Sequence, residues 1–445
     1  MVCMAVSSKR YLLQGALWFA AYLALVIAPL LVLLLGKVPA GTSRLWDFAI
    51  GLGFAALSLM GAMFILTARF RLATAAAGID IIYYFHRLVA VGALGLALAH
   101  PALLLVKEPL LLAYLSPGAP WHMIAGMGAL LAMLALVASS LARKRLRLHY
   151  DFWRRLHVVL AVLAVSLAIA HVVGVDYYIH SPARHVLWTT LAMLWLLLLV
   201  RVRLVRPALM LRRPWRIVDV VPEAGDAWSV RVAPEGHAGL RFTPGQFVWL
   251  TAGSSPFAMH EHPFSIASSA GQHGSLTFLI KALGDFTASV GDWRPGQRVY
   301  LDGPFGAFSP DRHAAPGYVF IAGGIGIAPM LGMLRTLADR NDARPLVLFY
   351  AYRTREVLSA FDTIEALKSR LNLEVVYILS EPPPGWAGES GQLSADILQR
   401  HLPAESAGYE YFLCGPTAMT RLAERLLAER GVALRQRHTE IFNLV

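Results

Sequence analysis

The sequence predicts two architectures in one chain: a six-helix membrane bundle, then a soluble half made of a small antiparallel β-barrel and an α/β domain. Three observations predict it. Of 445 residues, 57% are hydrophobic and only 15% charged, and the apolar excess lies before residue 206, too high for an ordinary soluble enzyme. Between 215 and 308, short β-type runs alternate with Gly and Pro turns. From 317 the rhythm changes to strand, glycines, helix, strand. The implied domains are 1–206, 207–312 and 313–445.

Apolar runs near 11–35, 46–68, 79–106, 121–142, 152–175 and 185–205 are each long enough to cross a bilayer, which takes about 20 residues. The first follows Lys9 and Arg10 but has no clear small-residue cleavage site, so it reads as a retained span. Basic residues set the orientation. With a cytoplasmic N-terminus, one side collects Lys9, Arg10, Arg69, Arg71, Arg143, Lys144, Arg145, Arg147, Arg154, Arg155, Arg201, Arg203, Arg206, Arg212 and Arg213. The other side has only Lys37, Arg44, Lys107 and Arg184. That asymmetry predicts a multi-pass protein of the cell (inner) membrane with everything after residue 206 in the cytoplasm. The net charge of +12 follows from this topology and from attraction to anionic headgroups. The expected partner is the lipid bilayer; no nucleic acid is needed to explain the charge.

Only Cys3 and Cys414 are present, far apart, so the sequence supports no disulfide framework, Cys-based zinc site or Cys-ligated iron–sulfur cluster. Any electron carrier has to be organic or haem. Four histidines in apolar stretches bear on this. His86 and His100 lie in one span, His157 and His171 in another, each pair fourteen residues apart. Fourteen helical residues rise about 21 Å and fall about 40° short of four turns, so each pair occupies one helix face. Any one of them reads equally as an isolated polar residue lining a bundle. The repeated spacing points instead to two helices gripping two stacked haems through axial imidazoles.

The segment Pro207 to Pro214 marks the shift from membrane to soluble composition. Strands are expected at 215–221, 228–233, 246–251, 263–267, 275–281 and 298–301, the pattern of a small antiparallel barrel. The α/β part is expected to open with a strand at Tyr318 to Ala322, a helix to about Leu337 and a strand at 346–351. The Pro-rich stretch 382–386 reads as a loop.

Three segments carry chemistry in the soluble half. Ile321 to Pro329, with Gly323, Gly324 and Gly326, follows a strand and opens a helix, where small residues and free amides receive a phosphate. Such a turn also serves tight packing, and Pro329 stands near the place of the usual third glycine. His262-Pro263-Phe264-Ser265 sets a hydroxyl beside an apolar platform suited to a flavin ring. Lys281 and the turn at Gly284 to Thr287 suit a pyrophosphate, although both segments read equally as a strand and a turn. Leu413-Cys414-Gly415-Pro416 ends a late strand before a helix at Thr417 to Arg430; its thiol either touches a nicotinamide or belongs to the core.

Taken in order, these segments resemble the ferric reductase and NADPH oxidase superfamily, in which a six-helix haem domain precedes a ferredoxin-reductase-like module of an FAD-binding barrel and a nucleotide-binding α/β domain. The resemblance covers nearly the whole chain. His262 to Ser265 looks like the family's flavin motif, and Lys281 through Thr287 like its flavin-pyrophosphate turn. Asp302-Gly303-Pro304-Phe305-Gly306 resembles the hinge between lobes. Gly323 to Pro329 and Cys414-Gly415-Pro416 resemble the nicotinamide nucleotide motifs. Glu440-Ile441-Phe442 resembles the terminal segment whose ring covers the flavin.

The resemblance implies FAD, two haems b and NADPH, with NADH as the alternative, and a relay from nucleotide through flavin and haems to an external acceptor. It assigns His86 with His157 to the inner haem and His100 with His171 to the outer. Ser265, Cys414 and Phe442 would act around the flavin and nicotinamide. His122, His180 and His185 are expected to make loop or headgroup contacts. Arg353 matches a position that pairs with a 2′-phosphate, or is a solvated surface charge; Gln392 stands where NADPH-specific members often have a second Arg. Animal oxidases of the family have an Arg within the second span and a His four residues beyond the outer ligand of span three. Here span two has no mid-helix Arg, and Leu104 occupies the second position. Dioxygen, giving superoxide, and ferric or cupric chelates therefore remain equal expectations for the acceptor, with an extracytoplasmic protein as a third. No obligatory protein partner is expected. A haem-free transporter or anchor is the reading from another class, opposed by the paired histidines.

Overall fold

Among the described residues, six helices long and apolar enough to cross a membrane come first. A computed structural model of the chain describes residues 2–34, 43–70, 79–253, 255–258, 260–272 and 274–441. Lys37, Arg71 and Phe442, all named above, lie outside the described residues. The helices are α1 (Val2–Leu34), α2 (Arg44–Thr67), α3 (Ile79–Lys107), α4 (Trp121–Leu141), α5 (Tyr150–Val175) and α6 (Pro182–Val200). Helix α6 continues through a π-helical turn, Arg201–Val205, into α7 (Arg206–Leu211). Among the described residues two compact units result, one over 14–70 and 81–206, the other dominated by 207–441.

Helices are the form such spans must take, because lipid offers no partner to a backbone amide or carbonyl. Within the first unit, Phe54, Leu57 and Met60 of α2 pack with Met133 of α4, Val165 of α5 and Trp188 and Trp195 of α6. The α2–α6 approach depends on Gly61, where a Cβ would stand 1.9 Å from the Trp195 ring. Leu88, Leu131, Val159, Leu163, Val186 and Leu196 face outward, a surface that water penalises and lipid does not. At one end of the bundle, Arg201 and Arg206 donate to the carbonyls of Ala68 (3.3 Å) and Arg69 (2.7 Å), tying the end of α2 to the end of α6. At the other, Tyr178 donates to Asp47 (2.7 Å) and the buried Arg184 donates to the Tyr178 carbonyl (2.9 Å).

The second unit opens with an antiparallel sheet of β1 (Trp215–Glu223), β2 (Ala227–Pro234), β3 (Phe247–Ala252), β4 (Glu261–Ser265), β5 (Leu276–Lys281) and β6 (Arg298–Phe305). Their order is β4-β3-β6-β1-β2-β5, and a bridge between Ile266 and Phe278 closes the sheet into a barrel. Trp215, Val230, Val248, Leu250, Phe278 and Ile280 fill it. A short helix, α8 (Asp285–Ala288), follows β5. Strand β6 runs past the expected end at residue 301. Phe247 pairs with Phe305 and Trp249 with Asp302, so the Gly303-Pro304 step is taken up as a bulge rather than as a break.

The α/β part has an all-parallel sheet, β7 (Tyr318–Gly323), β8 (Leu346–Tyr352), β9 (Leu373–Leu379), β10 (Glu389–Ser390), β11 (Glu410–Cys414) and β12 (Arg437–Glu440), in the order β10-β9-β8-β7-β11-β12. Helices α9 (Ile327–Asp339) and α10 (Phe361–Lys368) cover one face, α11 (Ala395–His401) and α12 (Thr417–Glu429) the other. Two covered faces explain why β7, β8 and β11 are nearly continuous apolar runs. The barrel packs directly on α9. Gly332 lies so close to the Ile266 carbonyl that a Cβ would stand 2.3 Å from it. Thr336 accepts from the Ala270 amide (2.9 Å) and Ser359 donates to the Ala224 carbonyl (2.7 Å).

Candidate redox and nucleotide sites

In the membrane unit, α3 and α5 bring their histidines together first with first and second with second. The ring centroids of His86 and His157 are 6.2 Å apart, those of His100 and His171 6.4 Å. An imidazole nitrogen bound to a metal ion stands about 2 Å from it, with the ring centroid about 1.1 Å further out, so two rings on opposite sides of one ion are about 6.2 Å apart. Both pairs have that separation.

The ring tautomers fit the same use. His100 Nδ1 lies 2.8 Å from the Ala49 carbonyl and His171 Nδ1 2.8 Å from the His122 carbonyl. A carbonyl only accepts, so each Nδ1 carries the proton and each Nε2 keeps its lone pair. His157 Nδ1 is 3.2 Å from Ser140 Oγ, whose own proton goes to the Leu136 carbonyl (2.7 Å), which leads to the same tautomer. His86 Nδ1 is buried and has no hydrogen-bond partner among the described residues.

The two carbonyl acceptors belong to one repeated device. In α2 the glycine four residues after Ala49 is Gly53; in α4 the glycine four after His122 is Gly126. A Cβ on Gly53 would stand 3.0 Å from His100 Nδ1, and one on Gly126 2.8 Å from His171 Nδ1. Each glycine bares a helix carbonyl that already serves its own turn, so that an imidazole can share it. His180 and His185 instead share the carboxylate of Asp176, at 3.1 and 2.7 Å.

In the second unit, the carboxyl ends of β7 and β11 meet at the point where strand order reverses, the usual ligand crevice of such sheets. Gly323 to Gly326 leave β7 there and Cys414 to Pro416 leave β11. A Cβ on Gly326 would stand 2.2 Å from the Cys414 carbonyl oxygen, and one on Gly323 2.8 Å from the Pro416 ring. Pro329 falls in the first turn of α9, where no intrahelical amide is required. The Cys414 thiol is fully enclosed in the core beneath this turn, and burial raises its pKa well above the ordinary value, with Glu440 adding to the effect. Cys414 thus meets the glycine turn through its backbone, and its thiol stands in the core, the second of the two readings the sequence left open.

On the barrel side, β4 presents His262 stacked on Phe286 with centroids 4.0 Å apart, and Phe264 lies parallel to the same ring at 6.2 Å. Pro263 pairs with Trp249 across to β3. Ser265 Oγ is buried and has no hydrogen-bond partner among the described residues, an arrangement that costs about 1–3 kcal/mol unless a ligand completes it. The Thr287 hydroxyl accepts from the amides of Leu283 (2.9 Å) and Gly284 (3.0 Å), so it shapes the turn. Lys281 reaches across to the α/β part, with Nζ 3.5 Å from the Tyr352 hydroxyl. Gly303 lies against β3, where a Cβ would meet the Val248 side chain at 2.7 Å. Arg353, just past β8, is exposed and paired with Glu381 at 2.9 Å.

Three family models match the chain in this order: a ferric reductase like transmembrane component over residues 52–168, an FAD-binding domain over 212–309 and an oxidoreductase NAD-binding domain over 320–425. In that order the three models match a ferric-reductase-like fusion. Among curated proteins similar to part of this chain, the reductase component of propane 2-monooxygenase from Rhodococcus jostii is 34% identical over 226 residues, 48% of this chain and 60% of that protein. NADH-cytochrome b5 reductase 1 from Aspergillus terreus is 30% identical over 177 residues, 37% of this chain and 58% of that protein. The fusion thus matches about three fifths of the length of these relatives. Among solved structures, a cytochrome P450 reductase from Amycolatopsis aligns with a TM-score of 0.46 at 26% identity, over 52% of this chain and 69% of that one.

Some residues that shape the fusion's sites carry no sequence signal of their own. Ala49, Gly53, Gly126 and Ser140 serve histidines on other helices, and Phe286 and Tyr352 complete the barrel site. A glycine four residues after an acceptor carbonyl, on a helix neighbouring a histidine span, is the one pattern that could have marked the first three.

Proposed function

We propose that this chain is a transmembrane oxidoreductase that takes electrons from cytoplasmic NAD(P)H and delivers them to an acceptor on the far side of the cell membrane. The observation that carries this reading is the pair of imidazole couples at metal-bridging distance, three of their four rings held in the tautomer that bares Nε2. When bound, FAD would turn a two-electron hydride donor into single electrons, and a haem held by His86 with His157, or by His100 with His171, would carry one electron at a time.

The chain's own residues have distinct parts in this. Gly323, Gly324 and Gly326 keep the turn at the start of α9 free of side chains, and Gly415 and Pro416 face it, so a nucleotide pyrophosphate can approach backbone amides. Lys281 supplies a positive charge at the barrel edge. Ser265 offers a buried hydroxyl to a flavin heteroatom beside the stacked His262 and Phe286. Fourteen residues, about 21 Å of helix, separate His86 from His100 and His157 from His171. His86 and His157 lie toward the helix ends that the positive-inside asymmetry assigns to the cytoplasm; His100 and His171 lie toward the opposite side.

A haem held by His100 and His171 would supply one electron at a time to an acceptor on the outer side. Dioxygen and ferric or cupric chelates both suit such transfer. A reduced-minus-oxidised spectrum of the purified full chain, taken with NAD(P)H under nitrogen, tests the reading. Bands of b-type haem reduced by nucleotide are expected, and a protein without them overturns it. Superoxide-dismutase-sensitive reduction of cytochrome c then marks dioxygen as the acceptor, and anaerobic reduction of a ferric chelate marks the metal.

A further inference from the structure

We propose that His313, Glu410 and His438 form a binding site for a divalent cation of the zinc class, separate from the flavin and nucleotide motifs. The three residues come from different segments. His313 ends the turn at 310–312 that leads from the barrel to β7, Glu410 opens β11, and His438 is the second residue of β12. Parallel pairing sets Phe412 beside His438, and Glu410 lies two residues before Phe412, so all three share one face of the sheet. His313 closes over that face from the linker.

The donor atoms are already gathered. One ligand atom from each residue lies within 4.8 Å of the other two, and His438 Nε2 is 2.6 Å from Glu410 Oε2. The His313 and His438 rings stack at 3.7 Å, and both rest against Phe412, which is fully buried. Among the described residues, neither ring nitrogen of His313 has a hydrogen-bond partner, so the ring gains nothing polar from the protein by standing there. Glu410 and His438 each keep 16% of their side-chain surface exposed to solvent. Ligand atoms around a four-coordinate zinc ion stand about 3.3–3.5 Å apart, so the 2.6 Å contact of His438 with Glu410 has to open, and separations of up to 4.8 Å have to close, by about 1 Å each, within reach of side-chain rotation.

Donor type selects the ion. Two imidazoles and one carboxylate suit a borderline cation, whereas calcium and magnesium require mostly oxygen. Bound there, the ion would join the linker between the two lobes to β12.

The test uses full-length, cofactor-loaded protein carrying no histidine tag, stripped with a chelator and then given zinc chloride. Wild type is expected to retain one more equivalent of zinc after desalting than His313→Asn and Glu410→Gln do, and to melt at a higher temperature with zinc than without. His313→Asn removes the linker ligand together with its ring stacking on His438 and Phe412, so each variant is compared with its own zinc-free form, and its melting temperature should not rise when zinc is added. Retention of the full zinc content by both variants overturns the site. So does loss of that equivalent on His180→Ala, or an equal rise in melting temperature with magnesium chloride. The readouts are metal content and melting temperature, so the result is independent of electron transfer.

Discussion

The imidazole of His171 lies against Gly126, so close that a Cβ on that glycine would stand 2.8 Å from Nδ1, while Nδ1 itself is 2.8 Å from the His122 carbonyl one turn earlier. His100 repeats the relationship with Gly53 at 3.0 Å and the Ala49 carbonyl at 2.8 Å. Two histidines on different helices are thus oriented by the same pair of backbone features, supplied by α4 in one case and α2 in the other.

Gly126→Ala is accordingly expected to displace the His171 ring and break its bond to the His122 carbonyl. Loss of a partner that orients a metal-bound histidine costs about 10–100-fold in affinity. The haem content of the purified variant, measured as the pyridine complex, should fall by about half, because the His86 and His157 pair is untouched. Gly53→Ala, with slightly more room, should lose less. Unchanged haem in both variants would contradict the proposed ligand pair.

Ser265→Ala separates the flavin's need from the fold's. Its hydroxyl is buried without a partner among the described residues, so removing it relieves a cost and the melting temperature of the flavin-free protein should hold or rise. Flavin affinity should fall by about tenfold, the value of roughly one hydrogen bond. Equilibrium titration of the stripped variant with FAD measures it. A drop in melting temperature without a drop in affinity would mark Ser265 as structural.

The order of elements was legible because their signals are local. Six apolar runs, period-two strands between Gly and Pro, and the glycine turn after Tyr318 to Ala322 each declare themselves within about twenty residues. Strand β6 runs through Gly303-Pro304 to Phe305, past the expected end at 301, and only the partner strand reveals the bulge that absorbs that step. The fourteen-residue spacing of the histidines is equally local. What holds their rings is not. His100 and Ala49 are 51 residues apart, His171 and His122 are 49 apart, and no spacing rule links a ring to a carbonyl on another helix. The cluster of His313, Glu410 and His438 is hidden for the same reason, since it forms only when β11 and β12 pair.

Cys414 provides a test of accessibility. The thiol is fully buried and its pKa is raised well above the ordinary value by burial, so the thiolate needed for alkylation is scarce at neutral pH. Raising the pH toward the ordinary thiol range should therefore not increase its labelling by iodoacetamide while the protein stays folded. Mass spectrometry of the Cys414 peptide, with and without denaturant, checks this. Rapid native labelling that NAD(P)H protects against would restore the thiol to the nucleotide site.

Nucleotide preference turns on Arg353 and Glu381, whose side chains meet at 2.9 Å beyond the ends of β8 and β9. The pair is exposed on both sides, so it contributes about 0–1 kcal/mol to stability and either member can change without loss of fold. Its effect on a ligand is larger in principle. A 2′-phosphate placed near Arg353 would gain the guanidinium but would also approach the Glu381 carboxylate, and the two effects oppose each other. Glu381→Gln frees the guanidinium and removes the repulsion, so kcat/KM for NADPH should rise by about three- to tenfold relative to NADH, and the gain should shrink in high salt. Arg353→Ala should move the ratio the other way. Steady-state rates with both nucleotides, at low and high ionic strength, give the answer; a ratio unmoved by either substitution would place the 2′ position away from this pair.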